Sequence, residues 1–428
     1  RGSTTTLNAF LTPEMSRYLE RLADRTRAAG LPDDVLVMRS SGGLMSLAGA
    51  SALPVAALLS GPAGGVVATA ALGSALGDDR LISFDMGGTS TDVCRIENGV
   101  PEQSFERWIG GLPVRTPSVA VHTVGAGGGS IGWADSGGAL RVGPRSAGAF
   151  PGPASYGRGG TEATVTDANL ALGRIPAGAR LAGSVPLDRE AALGALERLG
   201  GQIGLRPLET AEGVVEVVEA HMERAVRTVS VEEGADPRPA RLVAFGGAGG
   251  LHAVALARRL EMRGVVVPPF AGVFSAVGLL LAPPRHDAAT SVHLDADDEM
   301  ALDRAVGAVA GEAEHGLLGM GVRPEATVTS VDVRYRGQAH ETSVPYDVGA
   351  GWAALADDFH RRHEARNGFA RPDDPIEVVT VRASAVGRPA MQWSDPVSYT
   401  HLRAHETSRA ISDAVFCLER GGGGGGGG

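Results

Sequence analysis

The sequence predicts an α/β protein with a parallel or mixed sheet, followed by a small α+β module. Three observations carry that reading. Strand-like apolar runs at Leu81–Phe84, Arg241–Phe245 and Gly264–Val267 alternate with segments of helical period. The first two runs lead straight into glycine-rich turns, as strands do where backbone must approach a ligand or a neighbouring element. Near Leu294 the glycine turns stop, and longer helices and strands take over.

In chain order, helical spacing over Pro13–Ala29 puts Met15, Tyr18, Leu19, Leu22 and Ala23 on one face, with Gly30 as the stop. A strand at Val35–Arg39 precedes the turn Ser40–Gly43, and Ser60–Gly65 opens an Ala-rich helix to about Leu76. The strand Leu81–Phe84 is followed by Thr91–Glu97, which turns at Asn98-Gly99. From 101 to 160 the chain is rich in Gly and Pro and reads as short strands and long loops. Helices are expected at Thr166–Leu172, Asp188–Leu199 and Thr210–Gly234. After Arg241–Phe245 comes a helix to Leu260, then the strand Gly264–Val267. The C-terminal module reads as helix Asp298–Leu318, strand Ala326–Arg336, a strand near Glu341–Pro345, helix Trp352–Arg366 and strand Ile376–Val386. Domains are expected over residues 1–293 and 294–395. Residues 396–428 resemble translated sequencing-adapter DNA ending in a glycine homopolymer, or a tail without fixed structure.

Composition excludes several functions. At 428 residues with 43% apolar side chains, the chain holds enough material for two or three cored domains. A net charge of −10 without a basic cluster argues against nucleic acid as a partner. Every basic residue is Arg; the absence of Lys removes a Walker-A lysine, Schiff-base chemistry and Ser–Lys mechanisms. Two cysteines, Cys94 and Cys417, make neither a disulfide framework nor a thiolate zinc site, so a cytoplasmic setting is expected. No apolar run approaches the ~20 residues that span a bilayer.

The most informative stretch is Asp85-Met86-Gly87-Gly88-Thr89-Ser90-Thr91-Asp92. A carboxylate at a strand end, two glycines with bare backbone and three hydroxyls can hold phosphates while the Asp positions Mg²⁺ or an attacking group. The plainer alternative is a tight turn with a capping Asp. Gly246-Gly247-Ala248-Gly249 offers a nucleotide's base or ribose a flat backbone at a helix start, or else serves close strand–helix packing. Gly125, Gly127, Gly128, Gly129 and Ser130, preceded by His122, form a third loop, and Ser60–Gly65 a fourth. Asp167, His122 and His252 are further titratable candidates. Glu232 and Glu233 read as a solvated face, and His360 and His363 as surface residues of a helix.

Taken together, Phe84–Val93, His122–Ile131, Val142–Ala149, Pro151–Gly160, Thr164–Asn169 and Phe245–His252 resemble the hydantoinase A/5-oxoprolinase family, over about Leu7–Pro389. That family includes ATP-binding subunits of N-methylhydantoinases and of acetone and acetophenone carboxylases. The resemblance implies an actin-like ATPase core of the ribonuclease H-like, sugar kinase and Hsp70 type. It implies ATP with Mg²⁺ or Mn²⁺, and ATP-dependent hydrolysis of a cyclic amide through a phosphorylated intermediate. The alternatives are an acetone-type carboxylase subunit, or an actin-like nucleotide-binding protein without turnover. It also implies a hydantoinase B-like or carboxylase alpha-like partner subunit. By analogy Asp85 and Asp92 are catalytic, Asp85 also holds metal, and Gly87, Gly88, Thr89, Ser90 and Thr91 form a phosphate motif. Gly246–Gly249 would be the adenosine motif and Gly125–Ser130 with His122 a substrate or phosphate loop. Gly250 stands where the family has Pro, and Ser155 where it has Cys. A first phosphate motif of similar sequence is missing, so the chain is expected to be the latter part of a longer enzyme and inactive alone.

Overall fold

The computed structural model describes residues 2–31, 35–176, 178–181, 185–393 and 418–419. By compactness the chain divides into two units that interleave in sequence. One unit takes Gly61–Ser104 and Ser118–Leu279; the other takes residues up to Ser60, Phe105–Pro117 and Leu280–Met391.

The first unit is built on a mixed sheet of β1 (Arg80–Met86), β2 (Thr91–Glu97), β3 (His122–Val124), β4 (Arg241–Phe245) and β5 (Gly264–Val266). Their spatial order is β3-β2-β1-β4-β5, with β2 antiparallel to its neighbours and β4 parallel to both β1 and β5. This is the mixed-sheet α/β core that the sequence predicts. Ile82, Phe84 and Met86 of β1 alternate onto one face and pack with Val93 and with the helix Pro207–Thr228. That helix starts with Pro at its first position and buries Val214, Val215, Val218, Met222, Ala225 and Val226 along one stripe. It ends at Thr228, earlier than periodicity indicates, and a short 3₁₀ turn, Val231–Glu233, closes on Gly234 in left-handed conformation.

The opposite face of the sheet is covered by Ser60–Leu76. There a Cβ on Gly64 would stand 2.4 Å from Ser275 O, and one on Gly65 2.5 Å from the Phe245 ring. Gly64 and Gly65 therefore serve helix packing, whereas Gly61 has open space around it. Beyond β5, Leu418–Glu419 add a short antiparallel strand. The rest of the expected tail, like most of residues 396–428, lies outside the described residues.

In the second unit Arg285–Leu294, Ile376–Gly387, Pro324–Tyr335 and Thr342–Pro345 form a four-stranded antiparallel sheet under the helices Glu299–Leu318 and Trp352–Asn367. Its sheet thus begins before Leu294. His363 is a correction to the surface reading. It is 1% exposed, with Nδ1 at 2.9 Å from Phe369 O and Nε2 at 3.2 Å from Gln338, among the rings of Tyr335, Phe359 and Phe369. His360 is partly buried and stacks on Tyr335. The N-terminal helix runs from Gly2 to Ala28, through Pro13. Tertiary contacts override the proline there, because Asn8 bonds the backbone of Ala52 and Val55 and Ser3 bonds Pro113 O.

No helix among the described residues is long and apolar enough to cross a membrane.

Candidate active site

The register of the sheet in the first unit sets the site. Phe245, Asp85, Asp92 and Thr123 form one row across β4, β1, β2 and β3, so both carboxylates lie on the same face. Thr123 donates its hydroxyl to Asp92. Asp85 accepts from Ser275 Oγ at 3.0 Å. Burial pushes the Asp85 carboxyl above its ordinary range; the Ser275 hydroxyl pulls it back and the charge of Asp92 pushes it further.

Between the two carboxylates the chain turns through Gly87–Ser90, closed by a 3.0 Å bond from Gly87 N–H to Ser90 O. Gly88 and Thr89 are exposed, and among the described residues no hydrogen bond engages their N–H groups. These two unengaged amides and the hydroxyls of Thr89 and Ser90 are donors of the kind from which anion-binding turns are built. Thr91 differs: it is buried and donates to Ala126 O, so it anchors the turn from beneath.

The third glycine loop lies under this turn. Gly128 N–H donates to Gly87 O at 3.0 Å, Gly129 N–H to Gly88 O at 2.6 Å and Gly127 N–H to Ser130 Oγ at 2.8 Å. A Cβ on Gly127 would stand 2.7 Å from backbone atoms of Gly88, Thr89 and Ser90. Thr166 clamps the loop in turn, through its N–H and hydroxyl to Gly128 O. Gly125 is exposed, but Gly127–Ser130 are buried and their donors at 127–129 are engaged within the protein. Gly127→Ala is therefore expected to destabilise by about 1–3 kcal/mol, the cost of overpacking. Gly88→Ala, with open space around it, should cost far less. Urea midpoints read the difference; equal costs would refute the supporting role.

Gly246–Gly249 adjoin the carboxylates. Gly246 has φ +80°, and a Cβ there would come within 2.3 Å of Asp85 Oδ1, so this position needs glycine on both counts. Ala248 N–H bonds Met86 O at 3.0 Å, tying this turn to the end of β1. Gly247 and Gly250 are exposed with open space above them, whereas Gly249 packs on Phe84.

Other candidates are structural. Asp167 is fully buried and accepts from the N–H groups of Ala154, Ser155 and Thr164, capping the helix Val165–Ala171. His252 is fully buried between Glu219, 3.1 Å from Nδ1, and Asn169, 3.2 Å from Nε2. Glu219 also meets Arg174 and Arg259. His122 is not brought to the carboxylates: Thr123, its neighbour, faces Asp92, and His122 projects on the other side of β3. Sequence reasoning missed Ser275 and Thr123, since nothing local marks a hydroxyl that meets an acid across another strand.

The donor set fits Mg²⁺, which takes one or two carboxylates together with phosphate oxygens and water. Asp85 and Asp92 supply two, and among the described residues no group of three His, Cys, Asp or Glu side chains forms an all-protein cage. A cation there would relieve the like-charge contact that raises Asp85.

Residues 1–288 match the model of the hydantoinase/oxoprolinase family. The chain belongs to that family. An uncharacterised relative in Methanocaldococcus jannaschii is 40% identical over 403 residues, 90% of this chain and 58% of that protein. The caprolactamase subunit alpha of Pseudomonas jessenii is 37% identical over 400 residues, 91% of this chain and 58% of that one. The crystal structure of the ATP-dependent caprolactamase from the same organism superposes with a TM-score of 0.79 at 36% identity, over 91% of this chain and 58% of that one. A nucleotide-free acetone carboxylase shares the fold, with a TM-score of 0.71 at 24% identity over 91% of this chain and 58% of that one. This member of the family thus spans 58% of the length of these relatives.

Proposed function

We propose that this chain is the phosphate-binding part of an enzyme that couples ATP to the hydrolysis of a cyclic amide. The carrying observation is the turn Asp85–Asp92: two carboxylates opposed on one face, with the unengaged amides of Gly88 and Thr89 between them. ATP with Mg²⁺ or Mn²⁺ supplies the transferable phosphoryl group and a counter-charge. Asp85 and Asp92 hold the cation, while Gly87, Gly88, Thr89 and Ser90 bind phosphate oxygens. Gly127–Ser130, with Thr91, keep that turn rigid. Gly246–Gly249 give adenosine a side-chain-free surface beside Asp85. Phosphoryl transfer asks the protein mainly for positioning and electrostatic stabilisation, which loops and carboxylates provide.

In this reading the amide oxygen takes the phosphoryl group of ATP, releasing ADP. Water then adds to the activated carbon, the ring C–N bond breaks, and phosphate leaves with a ring-opened amino acid. The relative named caprolactamase subunit alpha and the family's description as hydantoinase/oxoprolinase support this chemistry. The name "subunit alpha" supports a partner subunit, for which the family resemblance implies the hydantoinase B type. The test is ADP release by the complete enzyme with its partner subunit, against hydantoin, 5-oxoproline and caprolactam. ADP formed only with a cyclic amide is expected. ADP driven instead by a ketone with bicarbonate would identify a carboxylase, and ATP turnover with neither would refute both.

A further inference from the structure

On the other side of β3 from Asp92, a cavity of about 660 Å³ opens between β3, the hairpin Ser130–Ala134/Leu140–Ser146 and the helix Pro207–Thr228. Its body is apolar: Val124, Val142, Pro144 and the indole of Trp133, which is fixed by a 2.8 Å bond from Nε1 to Gly143 O. Five titratable groups border it: His122, His221, Arg141, Arg224 and Glu232. Arg141 is spent on Asp135, 2.9 Å away. Burial, then the charges of Arg141 and Arg224, push His221 below its ordinary value. Among the described residues neither Arg224 nor Glu232 has an ion-pair partner. The rim therefore carries one uncommitted cation and one uncommitted anion. Arg224 stands in the last turns of the helix Pro207–Thr228 and Glu232 in the 3₁₀ turn that follows it, both on the border of the apolar cavity.

We propose that this cavity is a second small-molecule site, for an amino acid whose carboxylate meets Arg224 and whose ammonium meets Glu232 across an aliphatic chain. A simple carboxylate would leave Glu232 unanswered, and a simple amine would leave Arg224 so. The site uses no residue of the phosphate turn and stands whether or not the proposed reaction does. Arg224→Gln and Glu232→Gln change exposed side chains, so folding is not at stake.

The probe is 5-aminopentanoate titrated calorimetrically into the full chain, with pentanoate and pentylamine as single-charge comparisons. Binding about tenfold tighter than either comparison is expected, with a loss of about tenfold in each variant, as for one charge-assisted contact. Ligand-induced change in tryptophan fluorescence should vanish in Trp133→Phe. Asp85→Asn should bind the probe as the parent does. A flat titration, equal affinity for the three probes, or variants that bind unchanged would overturn the site. Loss of binding in Asp85→Asn would overturn its separateness from the phosphate turn.

Discussion

Asp85→Asn is expected to lower substrate-dependent ATP hydrolysis of the complete enzyme by about 10³-fold or more, while the fold becomes no less stable. The size follows from removing one of the two carboxylates proposed to hold the cation at the transferring phosphoryl group, a ligand that a neutral amide of the same shape replaces poorly. The stability expectation follows from the direction in which Asp85 is shifted. Burial is the largest cause, and Asp92 adds to it, so the carboxyl ionises less readily in the folded chain than in the unfolded one. A group raised in this way supports folding fully below its unfolded value of 3.8 and loses that support as pH rises through its folded value. Above the unfolded value the raised Asp85 carboxyl therefore weakens the fold relative to a neutral side chain. Asparagine removes the charge and can still accept from Ser275, so the melting temperature should hold or rise. Any gain should fade below pH 3.8, where the parent carboxyl is neutral in both states. Parental turnover in the variant would remove Asp85 from the site.

The turn itself was legible because its ingredients are contiguous: both carboxylates, both glycines and the hydroxyls lie within eight positions. So was the helix Pro207–Thr228, whose valines repeat at helical spacing. What the sequence left open is long-range. The Gly125–Ser130 loop looks like another ligand cradle, and only the pairing of β2 with β3 turns it into the underside of the first. The same lack hides His363, whose burial depends on Tyr335 and Phe369 closing over one face of its helix. Domain organisation was the least legible. Phe105–Pro117 leaves one unit for the other and returns, and no composition change marks either crossing.

The largest stability effect is expected in the second unit, at Asp287. Its carboxylate, 11% exposed, lies 3.0 Å from Arg39 Nη2 and 2.6 Å from Arg285 Nε, and accepts from Ser384 Oγ at 2.6 Å. Burial alone would raise this carboxyl, but Arg285, Arg39 and the Ser384 hydroxyl outweigh it and bring it down to about 2. Arg39 is 7% exposed, and among the described residues its Nε finds no partner even in the intact cluster. Asp287→Ala would leave that guanidinium buried without a counter-charge, which costs about 3–5 kcal/mol. Because the carboxyl is depressed, its contribution is present above the unfolded value of 3.8 and is lost as pH falls toward about 2. Urea unfolding of the parent should show that loss on acidification, and the variant should lack this component. Adding Arg39→Met to Asp287→Ala should recover part of the deficit, since the penalty lies in the unpaired charge rather than in a missing attraction. If the double variant is less stable than Asp287→Ala alone, Arg39 is held by something other than Asp287, and the cluster does not act as a charge pair.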